Sequence, residues 1–506
     1  MIGAIPSAVL FGVDGQRVTA EVHVGGDQPS FSVVGLPDTS CREARDRVRS
    51  AFDSCGFGWP DGRITVNLAP SAVPKAGSGL DLAIAIGLLV AIGELPFACV
   101  RDTAFIGELG LDGTIRTVTG VLPLAASLTD AAIVVPSADV HEAMALQRHT
   151  VRHAHTLREL VEALRGDAPF PDLPKLAPPT CAPVDPPDLA DVHGQEVARL
   201  ALELAAAGGH HVLLVGPPGA GKSMLAKRLP GLLPDLGSQD SIDVSRIHSA
   251  ARLALPPNGL ITTVPLRAPH HGASAVSMVG GGTATMRPGE ISLAHAGVLF
   301  LDELGEFVPV VLDALRQPLE EGVVRISRAR GTATYPARFL LVAAMNPCPC
   351  GASGGPGSCR CSDAARLRYA RRLSGPLLDR FDLRVHVHRP DAADLLGGCP
   401  GESTAAVRAR VLAARERAAA RGVRCNAELS DDQLEDVTPL HPAVRTRFLH
   451  AIDRGTLSAR GLRRVRSVCR TIADLRDGDD LVTPDVAELG LLLRSEIVSG
   501  REVAGV

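Results

Sequence analysis

The feature that most constrains the fold is the segment GPPGAGKS at 216–223, which joins the apolar run HVLLVG to the helical run KSMLAKRLPGLL. Glycines at this spacing let backbone N–H groups turn inward around phosphate oxygens, and the amino terminus of the helix adds a partial positive charge. The chain must therefore hold a buried strand and a helix on either side of a tight phosphate-binding turn. The residues predicted to bind the nucleotide are Gly216, Pro217, Pro218, Gly219, Ala220, Gly221, Lys222 and Ser223.

Two further apolar runs end in polar side chains suited to hydrolysis. Lys222 is expected to reach the β and γ phosphates of ATP, and Ser223 to ligate Mg²⁺. GVLFLDE ends in Asp302, suited to hold Mg²⁺ through water, and Glu303, suited to activate the attacking water as a base. Asn346 ends FLLVAAMN and is expected to orient that water. Each motif alone also fits a chance glycine turn or a helix cap, and it is their combination that predicts ATP hydrolysis.

Patterning along the chain predicts three folded regions. Residues 189–395 alternate apolar strands with helices, which predicts a doubly wound, mostly parallel sheet. Residues 400–506 read as helices alone and predict a separate helical lid domain. Residues 1–166 mix β-like and helical runs, which predicts an α+β domain. Between them, the prolines of 167–188 disfavour both helix and central strand, so this segment is interpreted as a linker.

Composition excludes other classes of protein. Apolar residues make up 45% and charged residues 21% of the 506 residues, a balance typical of globular proteins. The longest apolar run, at 82–92, is about half the length that a membrane span needs, and the amino terminus lacks the basic region of a signal peptide. We therefore expect a cytoplasmic protein without a membrane partner. A net charge of −4 still permits a ring that binds nucleic acid only along its pore.

Four of the eleven cysteines form a cluster with the spacing C-x-C, eight residues, C-x-C. Four thiolates on a loop rich in glycine, serine and proline can close a tetrahedral zinc site and order the loop. The C-x-C spacing is tighter than the usual C-x-x-C, and free reduced thiols are the alternative. The predicted ligands of a structural Zn²⁺ are Cys348, Cys350, Cys359 and Cys361.

Together these residues resemble the ComM-type group of magnesium-chelatase-like AAA+ ATPases, a group named for a DNA branch-migration helicase. The matching strings follow the family order through the second half of the chain. They are RAPHHGAS (267–274), GEISLAHAGVLFLDEL (289–304), LRQPLEEG (315–322), AAMNPCPCG (343–351), SGPLLDRFDL (374–383) and ARGLRRVRSVCRTIADL (459–475).

The resemblance implies further roles. Asn346 corresponds to sensor 1, and Arg380 to the arginine finger that enters a neighbour's ATP site. Arg460 corresponds to the sensor 2 arginine, with Arg464 as the alternative. A finger that acts in trans implies a homo-oligomeric ring, by analogy a hexamer. A surface ion pair is the alternative interpretation of Arg380.

Two inserts of this family are also recognisable. GVVRISRARGTATYPARF (322–339) resembles the β-hairpin before sensor 1, with Arg325, Arg328 and Arg330 expected to grip DNA phosphates in a pore. Residues 267–290 resemble a second, glycine-rich loop. The two histidines in that loop, at 270 and 271, are interpreted as structural rather than as metal ligands.

The first domain resembles the Lon-protease fold. In PKAGSG (74–79) and GELGLDGTIRTVTGVL (107–122), the serine and lysine positions of active Lon-type proteases fall on Gly79 and Leu122. Neither can act as nucleophile or base, while Ser78 is one residue out of place and Lys75 belongs to the loop, so no peptidase activity is expected. A scaffold or a DNA contact is expected instead. The candidate contacts, which fit a plain solvated helix face equally well, are Arg42, Arg45, Arg47 and Arg49.

Three functions follow from these expectations. The leading one is an ATP-driven motor that remodels single-stranded or branched DNA, as in recombination of incoming DNA. The alternative is the ATPase subunit of a complex that inserts a metal into a tetrapyrrole. An ATP-dependent protease is the third, and it conflicts with Gly79 and Leu122.

Overall fold

The computed structural model describes three folded regions that contact one another. The linker prolines at 176–186, the boundary segment at 390–400 and Arg330 lie outside the described residues. Among the helices of the described part, none has both the length and the apolar character to cross a membrane. The described residues are 2–26, 28–175, 187–282, 286–328, 331–351, 359, 361–389, 401–476, 478 and 481–494.

The first region pairs a mixed four-stranded sheet with a smaller parallel one. The larger sheet has the order β1-β2-β4-β3, and the smaller sheet has the order β5-β8-β9. The strands are β1 (Ile2–Phe11), β2 (Asp14–Gly25), β3 (Ser30–Val34), β4 (Arg63–Ala69), β5 (Thr103–Phe105), β6 (Glu108–Leu109), β7 (Ile115–Arg116), β8 (Ala132–Pro136) and β9 (Thr150–Ala154). The helices are α1 (Thr39–Cys55), α2 (Asp81–Ala91), α3 (Val121–Ala126), α4 (Val140–Met144) and α5 (Leu157–Arg165).

Helix α2 forms the centre of this first core because it is apolar on every side, and all of its residues are buried. Gly3 lets β1 approach α2 closely, because a Cβ at this position would lie 2.3 Å from the Gly87 carbonyl oxygen. At the start of α2, buried Asp81 accepts from Arg47 at 2.9 Å. Arg47 is therefore engaged inside the domain rather than on a plain solvated helix face.

The second region contains the predicted doubly wound sheet. Its five strands have the order β11-β14-β17-β10-β18 and are all parallel. The strands of this region are β10 (Val212–Val215), β11 (Leu266–Arg267), β12 (Gly280–Gly281), β13 (Arg287–Pro288), β14 (Gly297–Leu301), β15 (Val323–Arg328), β16 (Gly331–Pro336), β17 (Phe339–Met345) and β18 (Leu383–His386). The helices are α6 (Glu196–Gly208), α7 (Lys222–Ala226), α8 (Leu229–Leu232), α9 (Ser238–Ala250), α10 (Ala275–Val279), α11 (Glu290–Leu293), α12 (Pro309–Asp313), α13 (Arg316–Glu321), α14 (Asp363–Arg371) and α15 (Gly375–Leu378).

The third region is helical, as predicted, but it does not have a core of its own. Val465 and Val468, both in its helix Ala459–Leu475, belong to the same buried cluster as Leu202 of α6 and Val212 of β10. Helix α6 is apolar around most of its surface, so it needs partners on both sides and is packed between the sheet and this region. The helices are α16 (Thr404–Ala420), α17 (Asp431–Val437), α18 (Pro442–Asp453), α19 (Ala459–Leu475) and α20 (Pro484–Leu492).

The first region is docked on the second through the turn between β1 and β2. Val13 shares a buried cluster with Ile326 and Tyr335 of the β15–β16 hairpin. Next to it, Asp14 pairs with Arg246 of α9 at 2.6 Å. A cavity of about 1040 Å³ remains between the two regions, and its wall includes Ser78, Glu108, Arg252, Arg287 and Arg328.

Candidate nucleotide-binding and hydrolysis site

The glycine-rich turn follows β10 at the carboxyl edge of the parallel sheet. The N–H group of Gly216 donates to the carbonyl of Met345 at 3.2 Å, which ties the turn to the end of β17. Gly219 and Gly221 adopt the left-handed backbone, with φ of 78° and 86°. Side chains with a Cβ are disfavoured there, so the turn depends on glycine at both positions.

Lys222 is buried at the centre of the turn. Its Nζ donates to the carbonyl oxygens of Gly216 and Pro217 at 2.7 and 2.9 Å, and to Oδ1 of Asn346 at 3.1 Å. Burial lowers the pKa of Lys222, and the nearby carboxylates of Asp302 and Glu303 oppose that shift. The structure thus brings together the lysine and the amide predicted from separate motifs.

Ser223 and Asp302 meet at the same edge. The Ser223 hydroxyl donates to Oδ2 of Asp302 at 2.5 Å, and Oδ1 accepts from the N–H of Glu303 at 2.9 Å. A hydroxyl and a carboxylate are hard oxygen ligands of the kind that Mg²⁺ prefers, usually together with waters and phosphate oxygens. The residues present therefore fit the magnesium ion that the motifs predict.

Glu303 has an unusual backbone for a residue with a side chain. Its φ of 53° and ψ of 46° lie in the left-handed region, which costs on the order of 1–3 kcal/mol for a non-glycine residue. The turn directs the side chain outward, where it is 54% exposed. Its Oε2 lies 3.1 Å from Nδ1 of His271.

Sequence reasoning treated His271 as structural and missed this contact. The contact depends on the pairing of two neighbouring strands. Arg267 of β11 lies opposite Leu299 of β14 in a parallel pair. His271 and Glu303 each come four residues after this pair, beyond the ends of the two strands.

Arg380 lies at the opposite edge of the sheet. It precedes β18, whose first residue Leu383 pairs with Val212 at the beginning of β10. The four residues of β10 span about 13 Å, so this amino edge is well separated from the glycine turn that follows the strand. Arg380 forms an ion pair with Glu320 of α13.

Arg460 lies near Arg380 rather than near the phosphate turn. Arg464, one helical turn later in α19, donates to the Arg380 carbonyl at 2.8 Å and pairs with buried Asp382. Burial lowers the pKa of Arg380, and the positive charges of Arg464, Arg460 and Arg316 lower it further. The two arginines expected to act on ATP therefore lie together, on the far side of the sheet from their own chain's site.

The β15–β16 hairpin has one apolar and one polar face. Arg325 is exposed and pairs with Glu321, whereas Arg328 is three residues away and belongs to the opposite face, where it lines the inter-domain cavity. Arg325 and Arg328 therefore lie on different faces of the hairpin, and Arg330 lies outside the described residues; that these arginines grip DNA phosphates stays a prediction. The apolar face consists of Val324, Ile326, Ala333 and Tyr335, and the polar face of Arg325, Ser327, Thr332 and Thr334.

The four clustered cysteines converge as zinc ligands would. Their sulfur atoms all lie within 4.8 Å of one another, and Cys348 Sγ lies 3.4 Å from Cys350 Sγ and 3.6 Å from Cys359 Sγ. A tetrahedron with Zn–S bonds of about 2.3 Å has S···S edges of roughly 3.8 Å. Burial and, after it, the neighbouring thiols raise the pKa of Cys348 to about 12, whereas coordination to a divalent cation would favour the thiolate.

The positions that resemble a Lon-type site carry no nucleophile–base pair. The Ser78 hydroxyl donates to the carboxylate of Glu108, and the Lys75 ammonium donates to the Pro70 carbonyl within the same loop. Leu122 is fully buried in α3, and Gly79 presents only backbone. This loop lines the inter-domain cavity without a serine at position 79 or a lysine at position 122.

Comparison with protein families agrees with the motifs in all three regions. A family described as magnesium chelatase, subunit ChlI, matches residues 188–395. A family described as subunit ChlI of Mg-chelatase matches residues 20–139, and the C-terminal family of the same subunit matches residues 401–489.

Relatives match almost the whole chain. An uncharacterised protein of Mycobacterium tuberculosis is 46% identical over 481 residues, which cover 94% of this chain and 95% of that protein. Competence protein ComM of Haemophilus influenzae is 42% identical over 493 residues and 96% of both chains. Protein YifB of Escherichia coli is 42% identical over 485 residues and 95% of both chains. The chain therefore belongs to the ComM-type magnesium-chelatase-like AAA+ ATPases.

Proposed function

We propose that this protein is an ATP-driven motor that moves single-stranded or branched DNA. The observation that carries the proposal is the position of the polar hairpin face. The hairpin lies in the chain between Glu303 and Asn346, and the strand β17 that follows it leads directly to Asn346. A change around the γ phosphate can therefore reach the exposed Arg325 through a short, continuous segment.

The exposed chemistry of that face suits a phosphate backbone. Arg325 supplies one positive charge and, in the register of the hairpin, stands opposite Thr334; Ser327 stands opposite Thr332, with their hydroxyl oxygens 2.9 Å apart. Arginine and hydroxyl groups bind phosphate oxygens without reading base sequence. The relative from H. influenzae is named a competence protein, and competence is the uptake of DNA, which supports DNA as the substrate.

The positions of two arginines support an oligomeric ring. Arg380 and Arg460 lie at the amino edge of the sheet, so they fit a role at a neighbouring subunit's phosphates better than at their own. An arginine supplied in trans stabilises transition-state charge and is worth about 10³–10⁵ in rate. We propose a homo-oligomeric ring, by family analogy a hexamer, in which each site is completed by the next subunit.

The test is the ATP hydrolysis rate with and without single-stranded DNA, followed by strand movement on labelled forked or four-way DNA. The expected result is faster hydrolysis with DNA and ATP-dependent strand movement. The Glu303→Gln variant should bind ATP and DNA but move no strand. An ATP hydrolysis rate that does not change with DNA, together with no strand movement on the labelled DNA, would contradict the DNA assignment. The ATPase assignment would remain intact.

A metal-insertion ATPase is the second candidate, because the families that match this chain are described as magnesium chelatase subunits. Such an ATPase would act on partner subunits that hold the tetrapyrrole. Porphyrin metallation with those partners, with and without this protein, separates the two functions. ATP-dependent metallation without any response to DNA would favour this second candidate.

We also propose that the four-cysteine cluster holds a structural Zn²⁺. The metal would fix the segment that follows Asn346, and Cys348 is only two residues beyond it. Protein purified without chelator should contain about one zinc per chain, and Cys348→Ser should contain almost none. Cys99→Ser, which changes a half-buried cysteine far from the cluster, is the control. Less than about 0.2 zinc per chain in the unaltered protein would exclude the metal.

A further inference from the structure

The cavity between the first and second regions is walled largely by main chain. Its volume is about 1040 Å³, and its wall includes three uninterrupted stretches of the chain, at 8–12, 76–80 and 117–120. Successive side chains of a strand point to opposite faces, so a strand that lines a cavity with successive residues presents its backbone edge. The cavity therefore offers backbone N–H and C=O groups to a ligand.

Strand β1 supplies this edge. It lies at the end of the four-stranded sheet and pairs with β2, with Phe11 opposite Asp14 across a two-residue turn. The closing pair of such a hairpin exchanges hydrogen bonds, so the alternate residues Leu10 and Ala8 direct their N–H and C=O groups away from β2. Among the described residues, no backbone hydrogen bond from outside the hairpin reaches these groups. They are groups of the kind to which an added strand binds.

Opposite charges lie at the two ends of this free edge. At the amino end, the Ser7 hydroxyl donates at 2.6 Å to the last carbonyl of β5, three residues before Glu108. At the carboxyl end, the ring of Phe11 lies 3.0 Å from a Cβ placed on Gly331, which pairs with Arg328 in the hairpin. The side of β1 that faces the cavity therefore runs from a carboxylate to a guanidinium group, and both line the cavity.

A second arginine stands at the carboxyl end. Arg287 pairs with Gly281 between β12 and β13, and a terminal nitrogen of Arg328 lies 3.6 Å from a Cβ placed on Gly281. Both arginines line the cavity, and neither forms an ion pair with another residue of the described ranges. Two guanidinium groups that are not neutralised favour a carboxylate, which each can bind through paired N–H groups.

We propose that this cavity binds the carboxyl-terminal segment of a partner protein as an added strand on β1. The segment runs parallel to β1, so its terminal carboxylate lies between Arg287 and Arg328. A basic residue about five positions earlier lies beside Glu108, because the edge at 8–12 spans roughly 17 Å. Main-chain hydrogen bonds supply an affinity that tolerates many sequences. The site requires neither ATP nor DNA and is independent of the proposed motor function.

The probe is the hexapeptide Lys-Val-Thr-Val-Thr-Val with fluorescein at its amino terminus, a sequence that favours an extended strand. Fluorescence anisotropy with the full chain should show saturable binding. The carboxamide form should bind about tenfold more weakly, because it lacks the charge that the arginines contact. Arg328→Gln should weaken binding of the free acid by a similar factor and leave the carboxamide almost unaffected. Arg325→Gln, on the opposite face of the hairpin, is the matched control and should bind both forms as the unaltered protein does.

Main-chain pairing has a separate readout. Alternate residues of an added strand direct their N–H groups to β1, so probes methylated at successive backbone nitrogens should alternate between weak and unaltered binding. Hydrogen exchange at 8–12 should slow when the probe binds. Equal affinity of the acid and the carboxamide, or methylated probes without alternation, would overturn the proposal. So would the absence of saturable binding below about 1 mM, the range of a weak specific complex.

Discussion

The two edges of the parallel sheet differ in how complete they are within one chain. At the carboxyl edge, Lys222 and Ser223 hydrogen-bond to groups of the same site, and the Glu303 carboxylate is half exposed. At the amino edge, Asp382 is buried and is paired with Arg464 and with the N–H of His211 at 2.9 Å. The carboxyl edge therefore remains accessible to a ligand. At the amino edge, the buried carboxylate of Asp382 is already paired within the chain.

This difference indicates which edge could bind ligand and which edge could serve a neighbouring subunit. The closed network at the amino edge fixes the backbone just after Arg380, while Arg460 remains exposed beside it. A rigid support is what an arginine needs if it must reach into another subunit with defined geometry. In the proposed ring, the supported edge of a neighbour would complete the open edge.

The largest effect is expected from removal of Arg380, which tests whether the amino edge acts on a neighbour's site. Arg380→Ala should lower kcat for ATP by about 10³–10⁵ while nucleotide binding persists, because the finger acts on transition-state charge. Arg316→Ala, which removes a neighbouring arginine already paired with Asp313, is the control. Equal losses in the two variants would indicate a general loss of structure.

Removal of the base gives the next largest effect. Glu303→Gln should lower kcat by about 10²–10⁴ and leave ATP affinity intact, because the amide keeps the shape of the side chain and loses the base.

A mixture of Glu303→Gln and Arg380→Ala proteins should recover ATP hydrolysis, since each variant supplies the group that the other lacks. If subunits mix at random in a ring, roughly a quarter of the sites regain both groups. Mixtures that hydrolyse ATP no faster than either variant alone would contradict the action of Arg380 in trans.

Acid should weaken the amino edge. Burial lowers the pKa of His210 and His211 to about 4 from 6.5, so the unfolded chain binds protons first as the pH falls below 6.5. The free energy of unfolding should therefore fall between pH 6.5 and 4, by up to about 1.4 kcal/mol per pH unit for each histidine. Thermal unfolding at several pH values measures this slope. His210→Gln should remove about half of it, and an unchanged slope would contradict the assignment.

The smallest effect is expected at the hairpin. Arg325→Ala should weaken DNA binding only a few-fold and lower the salt slope by about one, as loss of a single phosphate contact does. Arg328→Ala, on the opposite face, is the matched control and should leave both quantities unchanged. Fluorescence anisotropy over a range of salt concentrations distinguishes the two. A larger loss in Arg328→Ala would place the DNA on the cavity side.

The carboxyl edge was predictable from sequence because its residues follow buried strands, either directly or after the glycine-rich turn. Lys222, Asp302 and Asn346 follow β10, β14 and β17, and parallel strands bring their carboxyl ends to one edge. The parallel sheet itself followed from apolar runs alternating with helices. Resemblance to a known family named Arg380 and Arg460 in addition, although it could not say on which side of the sheet they lie.

What was not predictable depends on packing between distant segments. The contact of His271 with Glu303 needs the register of β11 against β14, and β11 is only two residues long. The faces of Arg325 and Arg328 follow from strand parity, but which face is exposed depends on the first domain. The helical region was predicted to be a separate domain, because no pattern in 400–506 indicates that its helices pack against α6.

Tyr335 is completely enclosed, although it belongs to a hairpin that would otherwise stand free on the surface. Its cover includes Val13 and the adjoining Phe11, both supplied by the first domain. A truncated chain that began after the linker would present this aromatic side chain and its apolar neighbours to water, and would tend to self-associate through them. If deletion of the first domain abolished DNA binding or strand movement, that loss would therefore not identify the domain as a DNA-binding module.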